Sequence, residues 1–190
     1  MKGVYLFLAE GFEDIEALAT VDVLRRGGVD VRTVSVTDDY YVTSSHGIGV
    51  CPDTAASDFQ EEIVEEASAE DFLIFPGGMP GTKNLAGTSW LMELMNGHYA
   101  AGGSLAAICA APGFVLSQLD GIAGVRFTAY DGCEGPSVEA GGIYVREGVV
   151  RDGRIITGRG AGWAVPFGLE ILSAIKGPDK AAAVKAALML

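Results

Sequence analysis

The tightest constraint on the fold lies in the first 36 residues, where two strand-like runs flank one helix-like run. Val4-Tyr5-Leu6-Phe7-Leu8 is apolar and rich in strand formers, and Gly11 follows it as a break. From Asp14 the apolar positions Ile15, Leu18, Ala19, Val21, Val23 and Leu24 recur at near-helical spacing. Arg25-Arg26-Gly27-Gly28 then puts cations in the last turn and glycine beyond it. Val29 to Val36 alternates and is β-branched, so a second strand follows. Strand, helix and strand in this order form a βαβ unit, whose crossover helix makes the two strands parallel.

The alternation continues. Phe72-Leu73-Ile74-Phe75 reads as a third buried strand ending in Pro76-Gly77-Gly78. Trp90, Leu91, Leu94 and Met95 mark a helix, Ser104 to Ile108 a fourth strand, and Pro112 to Leu119 a further helix. Between these units, Tyr41 to Thr43 and Ile48 to Cys51 flank a Ser-Ser-His-Gly turn as a hairpin. Asp53 to Asp71 holds eight acidic residues and no basic one, the mark of a solvated loop and helix surface. Later strands are shorter: Val125 to Ala129, Gly142 to Val145, Val149 to Arg151 and Ile155 to Thr157, the last two joined at Asp152-Gly153. Phe167, Leu169, Ile171, Leu172 and Ile175 mark another helix, which Gly177-Pro178 separates from Lys180 to Leu190. With no linker or repeat, residues 1–190 read as one α/β domain, a three-layer sandwich whose mostly parallel sheet carries helices on both faces.

Charge and cysteine usage narrow the function. Thirteen Lys and Arg against 25 Asp and Glu give a net charge of -12, a repulsive field for nucleic acid and anionic membranes. Cys51, Cys109 and Cys133 are too few and too scattered for a disulfide framework, which fits a reducing, cytoplasmic setting. The short apolar run after Lys2 is not a signal peptide, and Ser104 to Leu116 is too short to span a bilayer. Only His46 and His98 are available as imidazole ligands, so no metal is expected, and no phosphate-cradling or dinucleotide fingerprint implies a cofactor.

Sites in open α/β sheets gather at the carboxyl ends of strands. The loop after Ile108 is Cys109-Ala110-Ala111-Pro112, where an apolar strand turns abruptly into a helix among small residues. That is the logic of a nucleophile elbow, with helix N–H groups favouring the thiolate and holding a developing oxyanion. Gly77 and Gly78 let backbone N–H groups approach the same place, and Glu16, in the first turn of the first helix, points to it as acid or base. Glu13 and Asp14 read as helix-dipole carboxylates, Cys51 and Cys133 as structural, and Arg26 and His46 receive no assigned role.

Taken in order, Glu10-Gly11-Phe12-Glu13-Asp14-Ile15-Glu16, Asp22 to Gly28, Cys51-Pro52-Asp53, Pro76-Gly77-Gly78, Ala106 to Pro112 and Thr157-Gly158-Arg159-Gly160 resemble the DJ-1/ThiJ/PfpI superfamily, in its DJ-1-like branch. The resemblance implies a flavodoxin-like sandwich, a homodimer, a reactive cysteine at Cys109, a carboxylate at Glu16 bonded to its sulfur, and glycine-loop N–H donation at Gly78 with Ala110. Two positions depart from the pattern. Ala110 stands where peptidase members carry histidine, which argues against proteolysis, and Ala129-Tyr130-Asp131 replaces a loop histidine, leaving Tyr130 as a supporting residue.

The resulting expectation is a cofactor-independent enzyme acting on 2-oxoaldehydes or their early adducts on amines and thiols, giving 2-hydroxy acids. The competing expectation is a redox-responsive stress protein in which Cys109 is oxidised to a sulfinate without substrate turnover.

Overall fold

The computed structural model describes residues 1–190 and is built on a six-stranded sheet in the order β2-β1-β5-β6-β10-β9. Its strands are β1 (Val4–Leu8), β2 (Val31–Ser35), β5 (Phe72–Phe75), β6 (Ser104–Ile108), β9 (Val149–Asp152) and β10 (Ile155–Gly158). All neighbours are parallel except β9 and β10, which form the hairpin turned at Asp152-Gly153. β3 (Val42–Thr43) and β4 (Gly49–Val50) make the expected small antiparallel hairpin, and β7 (Arg126–Phe127) pairs in parallel with β8 (Ile143–Tyr144).

The helices are α1 (Asp14–Arg26), α2 (Ala56–Glu61), α3 (Gly81–Ala86), α4 (Ser89–Ala100), α5 (Ala111–Phe114), α6 (Gly135–Glu139), α7 (Ala164–Lys176) and α8 (Pro178–Ala187). Alternate residues of the central strands feed two separate cores. Leu6, Leu8, Ile74, Ala106 and Ile108 face α1, α7 and α8, and Phe7, Leu73, Phe75, Leu105 and Ala107 face α2 to α5. A strand buried on both faces needs apolar residues throughout, which is why β1, β5 and β6 carry continuous apolar runs. On the second face the Phe7 ring stacks on Phe75 with centroids 5.7 Å apart and meets Phe59 edge-on at 5.5 Å. No helix is long and apolar enough to cross a membrane.

Three details differ from expectation. The helix over Pro112 to Leu119 is instead α5 followed by a single 3-10 turn, Leu116–Gln118. Helices α3 and α6 carry no strong apolar period and were not expected. The third difference shapes the site: α1 has the expected bounds, but Ile15 is 56% exposed and Leu18 38%, while Glu16 is 1% exposed. The face turned inward is Glu16, Ala17, Thr20, Val21, Val23 and Leu24, so Glu16 reaches the crevice as expected while two of the apolar positions that marked the helix turn outward.

The chain leaves β1 towards β2 on one side and returns to β5 on the other, so the strand order reverses between β1 and β5. Ligand crevices in open sheets form beyond the carboxyl ends at such a reversal. The loops after β1, β5 and β6, three adjacent strands, meet there.

Candidate active site

Cys109 follows β6 directly and adopts φ 65°, one of two non-glycine residues with positive φ. This left-handed conformation costs a non-glycine residue roughly 1–3 kcal/mol and persists only where surrounding structure imposes it. Here it is imposed from both sides: the Cys109 N–H donates to the Gly158 carbonyl at 2.9 Å, and its carbonyl accepts from the Tyr130 N–H at 2.8 Å. The chain thus turns sharply into α5 and leaves the thiol half-buried at the carboxyl end of a central strand.

Glu16 meets the thiol from α1. Its Oε2 accepts from the Gly77 N–H at 2.9 Å, its carboxyl lies beside the Cys109 side chain at that glycine, and Oε1 is buried with no hydrogen-bond partner. Glu13 caps α1 by accepting from the Glu16 N–H at 2.8 Å, and its own N–H donates to the Gly77 carbonyl at 2.9 Å, which locks the helix start to the loop after β5. That loop leaves no room for side chains. A Cβ on Gly77 would lie 2.5 Å from both Cys109 Cβ and Glu16 Oε2, and a Cβ on Gly78, at φ +91°, would lie 2.5 Å from the Glu13 nitrogen.

The two titratable groups oppose each other. Burial pushes the Glu16 carboxyl up to about 7, with the hydrogen bonds from Cys109 and Gly77 pulling down and the Glu13 charge pushing further up. Burial, followed by the charge and hydrogen bond of Glu16, pushes the Cys109 thiol well above its ordinary value, against the N–H groups of Gly78 and Ala110. The expectation that N–H groups favour the thiolate therefore holds for these donors but is outweighed by burial, to which the Glu16 charge adds. A thiolate forms here when its proton passes to Glu16, and the pair holds two protons below about pH 7 and shares one above it.

The structure brings Cys109, Glu16, Gly77, Gly78 and Ala110 together. The Gly77 N–H, grouped from sequence with the oxyanion donors, is occupied by Glu16, which leaves Gly78 and Ala110 facing the sulfur. Tyr130 touches Cys109 through its backbone, while its ring is 56% exposed. That ring lines a cavity of about 520 Å³ with Asp131, Arg159, Gly160, Ala161, Gly162 and Trp163. Arg159 is fixed there by Asp131, whose two oxygens each accept from it at 2.8 Å. Sequence reasoning missed this Arg159–Asp131 pair, and it missed Asp14, which is buried and paired with His46 Nδ1 at 2.5 Å. Neither pair leaves a local sequence signal, because each joins segments about 30 residues apart.

The family profile described as the DJ-1/PfpI family matches residues 2–174. The glutathione-independent glyoxalase DJR-1.2 of Caenorhabditis elegans is 33% identical, over 94% of this chain and 91% of its own. Among solved structures, Drosophila melanogaster DJ-1beta superposes with a TM-score of 0.89 at 30% identity, covering 100% of this chain and 98% of its own. Oxidized Toxoplasma gondii DJ-1 gives 0.86 at 29%, with the same coverage of 100% and 98%. The chain spans about half the length of two Arabidopsis thaliana relatives it matches, DJ-1 homologs A and B, covering 47% and 42% of them at 33% and 32% identity.

Gly77→Ala is expected to drive Glu16 and Cys109 apart and slow Cys109 alkylation at least about tenfold while the chain stays folded, since the new methyl meets both side chains. Mass spectrometry of alkylated peptides beside circular dichroism measures this. Stability should also depend on Glu16. Its folded value lies above its unfolded value of 4.5, so stability is full below pH 4.5 and falls as pH rises towards about 7, because the unfolded chain ionises first. The loss amounts to about 3 kcal/mol. Glu16→Gln abolishes this slope, so in urea titrations the variant gains on wild type between pH 4.5 and 7.

Proposed function

The chain belongs to the DJ-1/PfpI family, and from that premise we propose that it is a cofactor-independent cysteine enzyme converting 2-oxoaldehydes, free or as early adducts on amines and thiols, into 2-hydroxy acids. The observation that carries the reading is the buried Glu16 carboxyl set beside the Cys109 thiol at the Gly77 N–H, where burial pushes its pKa up to about 7. An acid–base group works best when its pKa lies near the working pH.

The steps follow from the proton the pair shares. With that proton on Glu16, the Cys109 thiolate attacks the aldehyde carbon and forms a hemithioacetal, whose oxyanion faces the N–H groups of Gly78 and Ala110. Glu16 gives its proton to that oxygen and, now a carboxylate, takes the proton from the same carbon. The resulting enediol is reprotonated at the neighbouring carbon. The aldehyde carbon is thereby oxidised to a thioester and the ketone carbon reduced to a secondary alcohol, so no external redox partner is needed. Water releases the 2-hydroxy acid and returns the thiol. The cavity beside Tyr130 gives the rest of the substrate room, and the absence of histidine after Cys109 argues against peptidase action.

A homodimer belongs to the same proposal, with Ile15 and Leu18 on the open face of α1 as apolar surface for a second copy. The proposal also places residues 1–190 in one domain and in a reducing, cytoplasmic setting, where the free cysteines stay reduced. The net charge of -12 leaves nucleic acid and anionic membranes outside its partners.

A second reading, oxidation of Cys109 to a sulfinate held by protonated Glu16, is favoured by the likeness to an oxidized DJ-1 structure and by an acid proton beside a half-buried sulfur.

Purified protein is expected to form lactate from methylglyoxal without glutathione or added metal. Cys109→Ala should lose all turnover, and Glu16→Gln should lose about 100-fold or more in kcat. Absence of turnover in wild type, together with peroxide oxidation confined to Cys109, would transfer the assignment to redox sensing.

A further inference from the structure

Outside the Cys109 site, the start of α1 and the tip of the β3–β4 hairpin place three ligand-type side chains together, and we propose that Glu13, Asp14 and His46 bind a divalent cation of the zinc class. Each contributes one ligand atom, and the three atoms lie within 4.8 Å of one another. The proposal is independent of the reaction assigned to Cys109.

Asp14 carries the argument. The residue is 8% exposed, and only one of its oxygens is used: Oδ2 meets His46 Nδ1 at 2.5 Å, while Oδ1 is buried with no hydrogen-bond partner. A buried carboxylate oxygen without a partner costs free energy that a cation, or a water held by one, would recover. Glu13 is similarly half-used. Its Oε2 accepts from the Glu16 N–H at 2.8 Å, which fixes the side chain and leaves the other oxygen for a ligand.

His46 sits on a braced turn. Ser44 Oγ accepts from the backbone N–H groups of His46 at 3.2 Å and Ile48 at 3.1 Å. The hairpin is tied to the segment before α1 by Ser45 N–H to the Phe12 carbonyl and by Gly11 N–H to the Thr43 carbonyl, both at 2.8 Å. The backbone positions of all three ligands are therefore set before any ion arrives, and the exposed His46 ring is already held against Asp14 through Nδ1. Ligand atoms around tetrahedral zinc stand about 3.4 Å apart, so small side-chain rotations close the set.

The donor chemistry selects the cation. One imidazole nitrogen with two carboxylate oxygens suits Zn²⁺ or Co²⁺, whereas Mg²⁺ and Ca²⁺ favour all-oxygen shells. Three protein ligands leave a fourth position to water. The net charge of -12 attracts cations in general, and the histidine makes the site selective among them.

Isothermal titration of chelator-stripped, reduced protein with zinc chloride tests the site, with His46→Ala, Asp14→Asn and the triple replacement of Cys51, Cys109 and Cys133 by Ala run alongside. One zinc per chain should bind in wild type and in the cysteine-free variant. Affinity should fall more than about tenfold in His46→Ala, which loses one of three ligands at an exposed position and keeps the fold. Magnesium in place of zinc should give no measurable binding. No zinc binding in wild type, unchanged affinity in His46→Ala, or loss of binding in the cysteine-free variant would each overturn the proposal, the last by assigning the metal to thiols.

Discussion

One contact organises the functional end of this molecule: a carboxyl buried against a thiol, with a single glycine N–H beside them. Glu16 accepts from Gly77 at 2.9 Å and meets Cys109 at the end of the neighbouring strand. Burial makes ionisation of either group costly, and the cost falls when one proton serves both. A pair of this kind is an acid and a base at once, which a solitary cysteine at a strand end is not. Charge transfer within the pair also needs no solvent reorganisation, because the donors around it are fixed backbone groups.

The surrounding fold exists in the form needed to hold that contact. The strand order reverses between β1 and β5, so the start of α1 and the loops after β5 and β6 converge, supplying in turn the carboxyl, the glycine N–H groups and the thiol. The glycines are required by space rather than flexibility at Gly77, where a methyl would fall on both reacting side chains. At Cys109 the left-handed backbone is held by Gly158 on one side and Tyr130 on the other, so the elbow depends on β10 and on the loop after β7 as much as on its own sequence.

Much of this was legible in the sequence because it is local. The parallel sheet follows from apolar runs at β1, β5 and β6, and the elbow follows from Ile108-Cys109-Ala110-Ala111-Pro112. The apolar period of α1 marked its length but not its orientation: Ala17, Val21, Val23 and Leu24 pack into the core with α7, which turns Glu16 inward and Ile15 and Leu18 outward. Pro112 and Gly113 look like the start of one long helix, yet α5 closes after one turn, and the Cys133 carbonyl packed against it leaves room at position 113 for glycine alone. The Asp14–His46 and Asp131–Arg159 pairs were invisible for the reason common to tertiary contacts: neither residue type nor spacing announces a partner about 30 positions away.

The sharing of one proton between Glu16 and Cys109 is tested most directly by the pH dependence of Cys109 alkylation under pseudo-first-order conditions, in wild type and in Glu16→Gln. If the pair shares a proton, the wild-type rate rises through an inflection near 7 and then levels, because above it the proton is divided between sulfur and carboxyl in a fixed ratio. The variant then loses that inflection and reacts only as the thiol itself titrates, at or above its ordinary value of 9.0. Identical profiles for the two proteins, both inflecting at the ordinary thiol value, would contradict the account.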